Sequence, residues 1–168
     1  MATNNAINLA GPTPIFSAYL ANSVSFGNTG GAVLLYDSTY INVGSCYNTS
    51  DGAFTAPVAG TYSFNYTVLY AITAVTGATN FFTYIGVAGH NVAWCVLPTA
   101  TSCTGFAGLN GWITNTGAAV LNMAVGDSAQ LLYYAAGATA NSTIQGSNGT
   151  PYNAYIGTTF SGYLITQI

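Results

Sequence analysis

Apolar and polar side chains alternate in short runs along the chain, and turn-forming residues separate the runs. In the longest run, at residues 61–72, the apolar side chains are Tyr62, Phe64, Tyr66, Val68 and Tyr70. Because successive side chains of a β-strand point to opposite faces, these aromatic and aliphatic residues share one face, and Ser63, Asn65 and Thr67 share the other. Pro57 and Gly60 precede the run at positions typical of a turn. The pattern predicts a long strand with one buried face.

Similar runs recur at short spacing, and no long stretch shows helical periodicity. The predicted strands cover residues 15–20, 24–26, 33–36, 53–56, 61–72, 81–87, 92–96, 111–114, 118–123, 129–135 and 158–165. Loops are predicted where Gly, Asn, Ser, Thr and Pro cluster, at residues 27–31, 76–80, 98–108 and 137–151. This pattern predicts an all-β, two-sheet jelly roll of about ten strands. The last loop is a candidate contact loop, and an idle surface loop is the alternative.

Length and charge narrow the picture further. The 168 residues suit one domain, predicted over residues 14–168 after a short polar arm at residues 1–13. The chain has no Lys or Arg and only three acidic residues. Without cations it cannot neutralise phosphates, so we expect neither nucleic acids nor anionic membrane surfaces as partners. Low charge favours association, so we expect apolar surface to be covered in an oligomer.

Hydrophobic residues make up 51% of the chain, yet no membrane insertion is expected. Polar residues interrupt every window before the roughly 18 apolar residues that a spanning helix needs. The first residues also lack the basic segment and apolar run of a secretory signal. Export by another route, a leader removed earlier and assembly in the cytoplasm all remain open.

A specific spacing of aromatic residues appears in the first half of the chain. Its members are Tyr36, Asn42, Tyr47, Phe54, Gly60, Tyr62, Phe64 and Tyr66. This spacing resembles the signature of the C1q domain, in the C1q and tumour necrosis factor-like superfamily, with Tyr36 in place of the usual Phe. Residues 14–20 resemble the opening strand of that family, residues 119–131 its hairpin around a Gly-Asp turn, and residues 160–165, with Phe160 and Gly162, its closing strand.

The resemblance implies a ten-stranded jelly roll that assembles as a tight homotrimer, with the first and last strands adjacent. Many animal members of the family follow a collagen stalk and recognise ligands through basic residues or calcium. This chain shows no Gly-X-Y tract and no cations, so complement activation is not implied. Related heads on viral or phage particles and on bacterial surfaces are the setting that the resemblance favours.

His90 is the only histidine, so an acid–base enzyme would depend on it. A pair with Cys46 or Cys95, or a set with a serine and an aspartate, is formally open. Neither has a local signature such as G-x-S-x-G, and triad partners do not follow from spacing. We therefore predict a structural or surface role for His90, no catalytic residue and no enzyme activity.

The three carboxylates, Asp37, Asp51 and Asp127, are scattered along the sequence. Calcium prefers a cluster of oxygen ligands, so an all-protein site is a poor prospect. Asp51 and Asp127 each adjoin a glycine, which turn formation explains. We predict no cofactor, and a calcium ion on the trimer axis, held by one Asp from each subunit, is the alternative.

Cysteine and tryptophan leave further alternatives. Cys95 and Cys103 flank a loop-like segment and either form a disulfide or stay, with Cys46, as plain thiols. Trp94 and Trp112 are predicted core residues. Exposed Tyr and Trp would suit a sugar-binding or protein-binding surface.

Taken together, the chain is predicted to be a non-enzymatic homotrimeric structural or recognition head on a virion surface, as a phage capsid decoration or fibre-tip protein. Its partners would be copies of itself and capsid or surface proteins. The alternative is a secreted, extracellular or cell-surface lectin or adhesin, which would bind glycans or proteins through loop 137–151 and exposed tyrosines. A hydrolase built on His90 is a third hypothesis.

Overall fold

The computed structural model describes residues 12–25, 29–72, 80–97, 111–136, 143–147 and 157–168. Within these ranges the chain forms thirteen β-strands and no helix. In chain order the strands are β1 (Ile15–Tyr19), β2 (Val24–Ser25), β3 (Thr29–Val33), β4 (Ser38–Val43), β5 (Tyr47–Asn48), β6 (Ala53–Thr55), β7 (Gly60–Ile72), β8 (Asn80–Val87), β9 (His90–Leu97), β10 (Gly111–Met123), β11 (Ser128–Ala136), β12 (Thr143–Ile144) and β13 (Thr159–Gln167). In the part of the chain so described, no helix is long and apolar enough to cross a membrane.

The strands form two sheets in which every pair is antiparallel. In the seven-stranded sheet β4, β1, β13, β7 and β10 lie side by side, with β12 on the end of β7 and β2 on β12. The six-stranded sheet runs β5, β6, β11, β8, β9, and β3 also pairs with β11. The first and last strands are paired, with Ile15 opposite Tyr163. The predicted all-β, two-sheet architecture is confirmed.

Aromatic rings from both sheets fill the space between them. Phe16 of β1 stacks on Tyr47 of β5 and Phe54 of β6, with ring centroids 4.8 and 5.3 Å apart. It also meets the edge of Phe160 of β13 at 5.0 Å. The apolar side chains predicted for one face of β7 are all buried in this cluster, whereas Asn65 on the other face is exposed. Period-two patterning therefore decided which face of β7 became core.

Several local predictions were wrong. The predicted loop at 27–31 overlaps β3, which ends at Val33, so that residues 34–36 lie outside any strand. Strands β4 and β5 were missed, because their short segments show no clean alternation. The predicted strands 111–114 and 118–123 are one strand, β10. These errors fall where a strand is specified by its neighbours rather than by its own pattern.

The predicted contact loop at 137–151 contains strand β12, which pairs with β7 and β2. Ile144 is fully buried, and the Ser147 amide donates to the Leu20 carbonyl oxygen at 2.8 Å. Residues 143–147 are therefore packed into the fold, and the rest of that loop lies outside the described residues. The predicted arm is outside them up to residue 11, as are residues 76–79 and 98–108 of the other predicted loops.

Candidate recognition surfaces

The solvent face of the seven-stranded sheet carries apolar side chains that lie opposite one another across its strands. The register pairs Val43 with Ile15, Ile15 with Tyr163, Tyr163 with Ser63 and Ser63 with Val120. We call Val43, Ile15, Tyr163 and Val120 the apolar row. Val120 is 64% exposed and Tyr163 45% exposed in the single subunit. Ile15 is half-buried, and Ser63 separates Tyr163 from Val120. Large apolar side chains exposed together on one face mark a contact surface.

A second surface lies on the solvent face of the six-stranded sheet. Four rings from three neighbouring strands touch in the order Tyr134, Phe82, Trp94, Tyr84, and we call them the aromatic platform. Phe82 stacks on Tyr134 at 4.5 Å between centroids and 3° between planes. Tyr84 stacks on Trp94 at 4.5 Å and 16°, and Phe82 lies 5.0 Å from Trp94. Trp94 is 51% exposed, whereas Phe82 and Tyr134 are half-buried and Tyr84 is only 9% exposed.

A β-bulge in β9 places Trp94 on this face. Thr83 pairs with Cys95 and Ile85 with Val92, so Tyr84 lies opposite two residues, Ala93 and Trp94. The extra residue reverses the side of the sheet to which following side chains point. Ala93 has a φ of +53°, in the left-handed region that a non-glycine residue rarely adopts. Without this bulge, Trp94 would share the inward face with Val92.

Buried polar groups behind the platform hold the bulge. Tyr66 crosses from β7, and its hydroxyl lies 2.8 Å from the Ala93 carbonyl oxygen and 3.1 Å from that of Thr83. Burial raises the pKa of this hydroxyl well above 10.0, so it remains a donor. The Asn115 side chain donates to the Thr83 hydroxyl at 3.2 Å and to the Cys95 carbonyl oxygen at 3.4 Å. These contacts give hydrogen-bond partners to backbone carbonyl groups whose regular pairing in the sheet is disrupted by the bulge.

The structure corrects the prediction that both tryptophans are core residues. Trp94 is turned outward by the bulge, and Trp112 is 58% exposed on the solvent face of β10. The platform was not predicted as a unit, because β8 reads Phe-Phe-Thr-Tyr-Ile and is apolar on both faces. The only polar side chain in this stretch of β8 is Thr83, and because Thr83 is fully buried it lies on the inward face, where a polar residue is not expected.

The motif residues lie where they build the fold. Its aromatic members are all buried in the core: Tyr36, Tyr47, Phe54, Tyr62, Phe64, Tyr66 and Phe160. The Asn42 amide nitrogen donates to the Tyr47 carbonyl oxygen at 2.8 Å, and its oxygen accepts from the Tyr47 amide at 3.0 Å. A Cβ on Gly60 would lie 2.5 Å from a Leu164 methyl group, and one on Gly162 would lie 2.5 Å from Phe64. The motif therefore specifies packing and leaves the outer faces to vary.

The candidate chemical groups are not brought together. His90 is exposed at the start of β9, directly after the turn at 88–89. Asp37, Asp51 and Asp127 each accept a backbone N–H bond, from Ala21 at 2.7 Å, Ala53 at 3.0 Å and Ala124 at 2.8 Å respectively. These contacts agree with the predicted turn roles of Asp51 and Asp127. Among the described residues no three His, Cys, Asp or Glu side chains form a metal-binding group.

The structure describes two of the three cysteines. Cys46 is a buried free thiol, and burial raises its pKa. Cys95 is half-buried on β9. Its predicted partner, Cys103, lies outside the described residues, so the disulfide stays a prediction.

Comparisons with known proteins identify a family and a fold. The model of the C1q domain family matches residues 15–165. The globular domain of zebrafish complement 1qA protein is similar in structure, with a TM-score of 0.59 and 14% identity over 94% of this chain and 100% of that chain. Murine APRIL is similar with a TM-score of 0.58 and 13% identity over 92% of this chain and 100% of that chain. No curated protein matches the sequence.

At these identities the structural likeness shows a shared fold, and the family match supplies the membership. That match spans the aromatic motif, the hairpin and the closing strand, which together form the core described above. The sequence-based resemblance is thereby confirmed at the level of the family, while a viral or bacterial origin stays a prediction. This chain belongs to the C1q domain family.

Proposed function

We propose that the chain is a non-enzymatic, homotrimeric recognition head displayed on a particle surface, with the apolar row as part of its subunit contact. Domains of the C1q and TNF-like type serve recognition or signalling and are typically trimeric. The observation that carries the proposal is the apolar row, three of whose four members the single subunit leaves exposed on the outer face of the seven-stranded sheet.

The charge inventory supports self-association through this face. Subunit contacts in permanent oligomers commonly bury about 2,000 Å² or more and are rich in apolar atoms. The apolar row contains no charged side chain, and the whole chain has no Lys or Arg that would need solvent at the contact. Burying the row therefore removes apolar surface from water without desolvating an unpaired cation.

A substitution in the row tests the assembly. Val120→Asp would place one carboxylate from each subunit in an apolar contact, where burying an unpaired charge is strongly unfavourable. We expect native mass spectrometry to show a trimer for the wild type and monomers for this variant. Val125→Asp is the matched control, because Val125 is 66% exposed at the turn between β10 and β11. A wild-type monomer, or a Val120→Asp trimer of undiminished stability, would contradict the proposed contact.

The setting that we propose is a virion surface, as a phage capsid decoration or fibre-tip protein bound to capsid proteins. Its support is chemical: a head that offers hydroxyl, amide and apolar groups docks by packing and shape, which suits a repeated array of identical positions. Mass spectrometry of gradient-purified particles, followed by antibody labelling in electron microscopy, tests this setting. Recovery of the chain only from the particle-free fraction would exclude it.

The second candidate is a secreted or cell-surface lectin or adhesin of the same trimeric build. The aromatic platform favours it, because exposed aromatic rings give large contact area at low entropy cost. Retention of the chain on cells that lack any particle, in a manner that depends on the platform, would favour this candidate over the virion setting.

A further inference from the structure

The aromatic platform lies on the opposite side of the sandwich from the apolar row, and the assembly proposed above leaves it without a role. Its rings come from β11, β8 and β9, whereas the row crosses β4, β1, β13 and β10. The rings touch one another in a continuous line, so their orientations are held before any ligand arrives. A surface organised in this way suits binding, since little side-chain entropy remains to be lost.

We propose that the aromatic platform binds a neutral glycan, with the exposed indole of Trp94 against the C–H face of a pyranose ring. The face of an aromatic ring carries the negative part of its quadrupole, which attracts the weakly positive C–H groups of a sugar. The indole N–H donates to the Asn91 carbonyl oxygen at 3.2 Å, which fixes the ring plane. This inference rests on the recognition role proposed above, and on neither the trimer nor the virion setting.

The charge of the chain determines which glycans the platform takes. Sialylated, sulfated and uronic-acid glycans carry anions, and proteins bind these with Arg or Lys. This chain has neither residue and a formal net charge of −3. A neutral hydrogen-bonding residue lies beside the rings instead: Asn91 is exposed, and its carbonyl oxygen accepts from the Trp94 indole. The complementary ligand is therefore uncharged, with hydroxyl groups beside a flat apolar face.

Tyr66 is a positioning residue for this surface. Its hydroxyl holds the Ala93 carbonyl at the bulge, and the bulge turns Trp94 outward. Gly117 of β10 makes room for the Tyr66 ring, since a Cβ there would lie 2.5 Å from ring atom Cε1. Loss of the hydroxyl frees the bulge to shift, and Trp94 then loses its fixed stacking on Tyr84.

Tryptophan fluorescence of the full chain tests the proposal directly. The chain has two tryptophans, so Trp112→Ala leaves Trp94 as the single tryptophan, which is excited at wavelengths longer than tyrosine absorbs. We expect its emission to change during titration with at least one of a panel of neutral hexasaccharides of glucose, mannose, galactose or N-acetylglucosamine, with a Kd of about 10 µM to 1 mM. Sialyllactose, heparin and polygalacturonate should produce no saturable change. An equal response to the acidic saccharides, or none to the neutral panel, would overturn the proposal.

Variants separate binding from assembly and folding. By calorimetry, Trp94→Ala should weaken the neutral glycan at least about tenfold, and Trp112→Ala should change it less than about twofold. Tyr66→Phe should weaken it about threefold to tenfold and reduce the near-ultraviolet circular dichroism of the stacked Trp94–Tyr84 pair. Tyr62→Phe is the control, because it removes a hydroxyl from the same strand that donates to the Val58 carbonyl oxygen at 2.8 Å, away from the bulge. An equal loss of affinity in both tyrosine variants would overturn the positioning role.

Native mass spectrometry on the same samples makes a failure of assembly visible separately from a failure of glycan binding. If Trp94→Ala dissociates the assembly into monomers, the platform is a subunit contact and the glycan proposal is wrong. If instead the platform retains a protein but no glycan on an array, a protein partner replaces the glycan and the proposal is also wrong.

Discussion

At the scale of single residues, the core depends on positions where a side chain is absent. Gly162 of β13 lies opposite Phe64 of β7 in the sheet. A Cβ at Gly162 would come within 2.5 Å of Phe64 Cδ1 and 2.8 Å of Phe16 Cε1. Both rings are almost completely buried and pack against Phe54 and Phe160. The glycine therefore sets how closely these rings approach the sheet.

Replacing this glycine tests that arrangement. Gly162→Ala should lower the free energy of unfolding by about 1–3 kcal/mol, because the rings have no space into which to retreat. Denaturant unfolding at one fixed protein concentration measures the change. Ser161→Ala, the neighbouring residue on the solvent face of β13, should change stability by less than about 0.5 kcal/mol. A Gly162→Ala variant as stable as this control would show that the core is looser than described.

At the scale of elements, strand β10 shows how one sheet shapes the other. Gly117 interrupts the apolar pattern, and the sequence therefore predicts two strands where the structure has one. At Gly117 the Tyr66 ring packs directly against β10, and the Tyr66 hydroxyl reaches the Ala93 carbonyl at the bulge in β9. The missing side chain is thus a packing requirement of a neighbouring strand, and it does not mark a turn.

The link between β10 and β9 is open to test. Gly117→Ala would overlap Tyr66 Cε1, Cζ and Oη, so the ring must move. In the Trp112→Ala background, we expect a loss of about 1–3 kcal/mol in the free energy of unfolding and a change in Trp94 emission, because moving the Tyr66 hydroxyl shifts the bulge. Thr116→Ala, at an exposed position of the same strand, serves as control. A destabilised variant with unaltered Trp94 emission would mean that displacing the Tyr66 ring does not move the bulge.

Long runs rich in apolar residues, such as β7, β8 and β11, were predicted to within a residue or so of their bounds. Strands β3, β5 and β12 were not, because a segment of a few residues with Gly, Asn or Thr has no pattern of its own. They form because β6, β7 and β11 offer unpaired backbone groups beside them. The apolar row was equally invisible, since its members come from strands far apart in sequence.

At the scale of the whole molecule, the near absence of charge predicts that the proposed trimer is insensitive to salt. Screening acts on charges, and a chain with no Lys or Arg has almost no ion pairs with its own copies to weaken. We expect the trimer dissociation constant from sedimentation equilibrium to change less than about threefold between low salt and roughly 1 M NaCl. A steep dependence on salt would contradict a contact made by apolar packing.

Alkaline pH should unfold the protein through its buried tyrosines. Burial raises the pKa of the Tyr36, Tyr47, Tyr66 and Tyr70 hydroxyls above the ordinary 10.0. Above that pH the unfolded chain releases these protons and the folded chain keeps them, so stability is present below it and is lost as pH rises. Each hydroxyl lowers the free energy of unfolding by at most about 1.4 kcal/mol per pH unit.

Absorbance of tyrosinate and near-ultraviolet circular dichroism, followed together from about pH 8 to about pH 12, measure this loss. The buried tyrosines should ionise in the same step in which tertiary structure disappears. Ionisation of every tyrosine with the circular dichroism still native would show that these hydroxyls are reached by solvent in the fold.

The sequence by itself determined the fold class, the family and the inward face of β7. Alternation along one strand and the spacing of aromatic residues are local properties, so they can be read without knowing which residues meet in the fold. It also excluded cationic chemistry, which depends on composition alone. Only the tertiary structure decided which apolar residues meet on an outer face. The apolar row depends on register across separate strands, and the aromatic platform depends on a single bulge that reverses Trp94. Both are long-range pairings, which no single segment encodes.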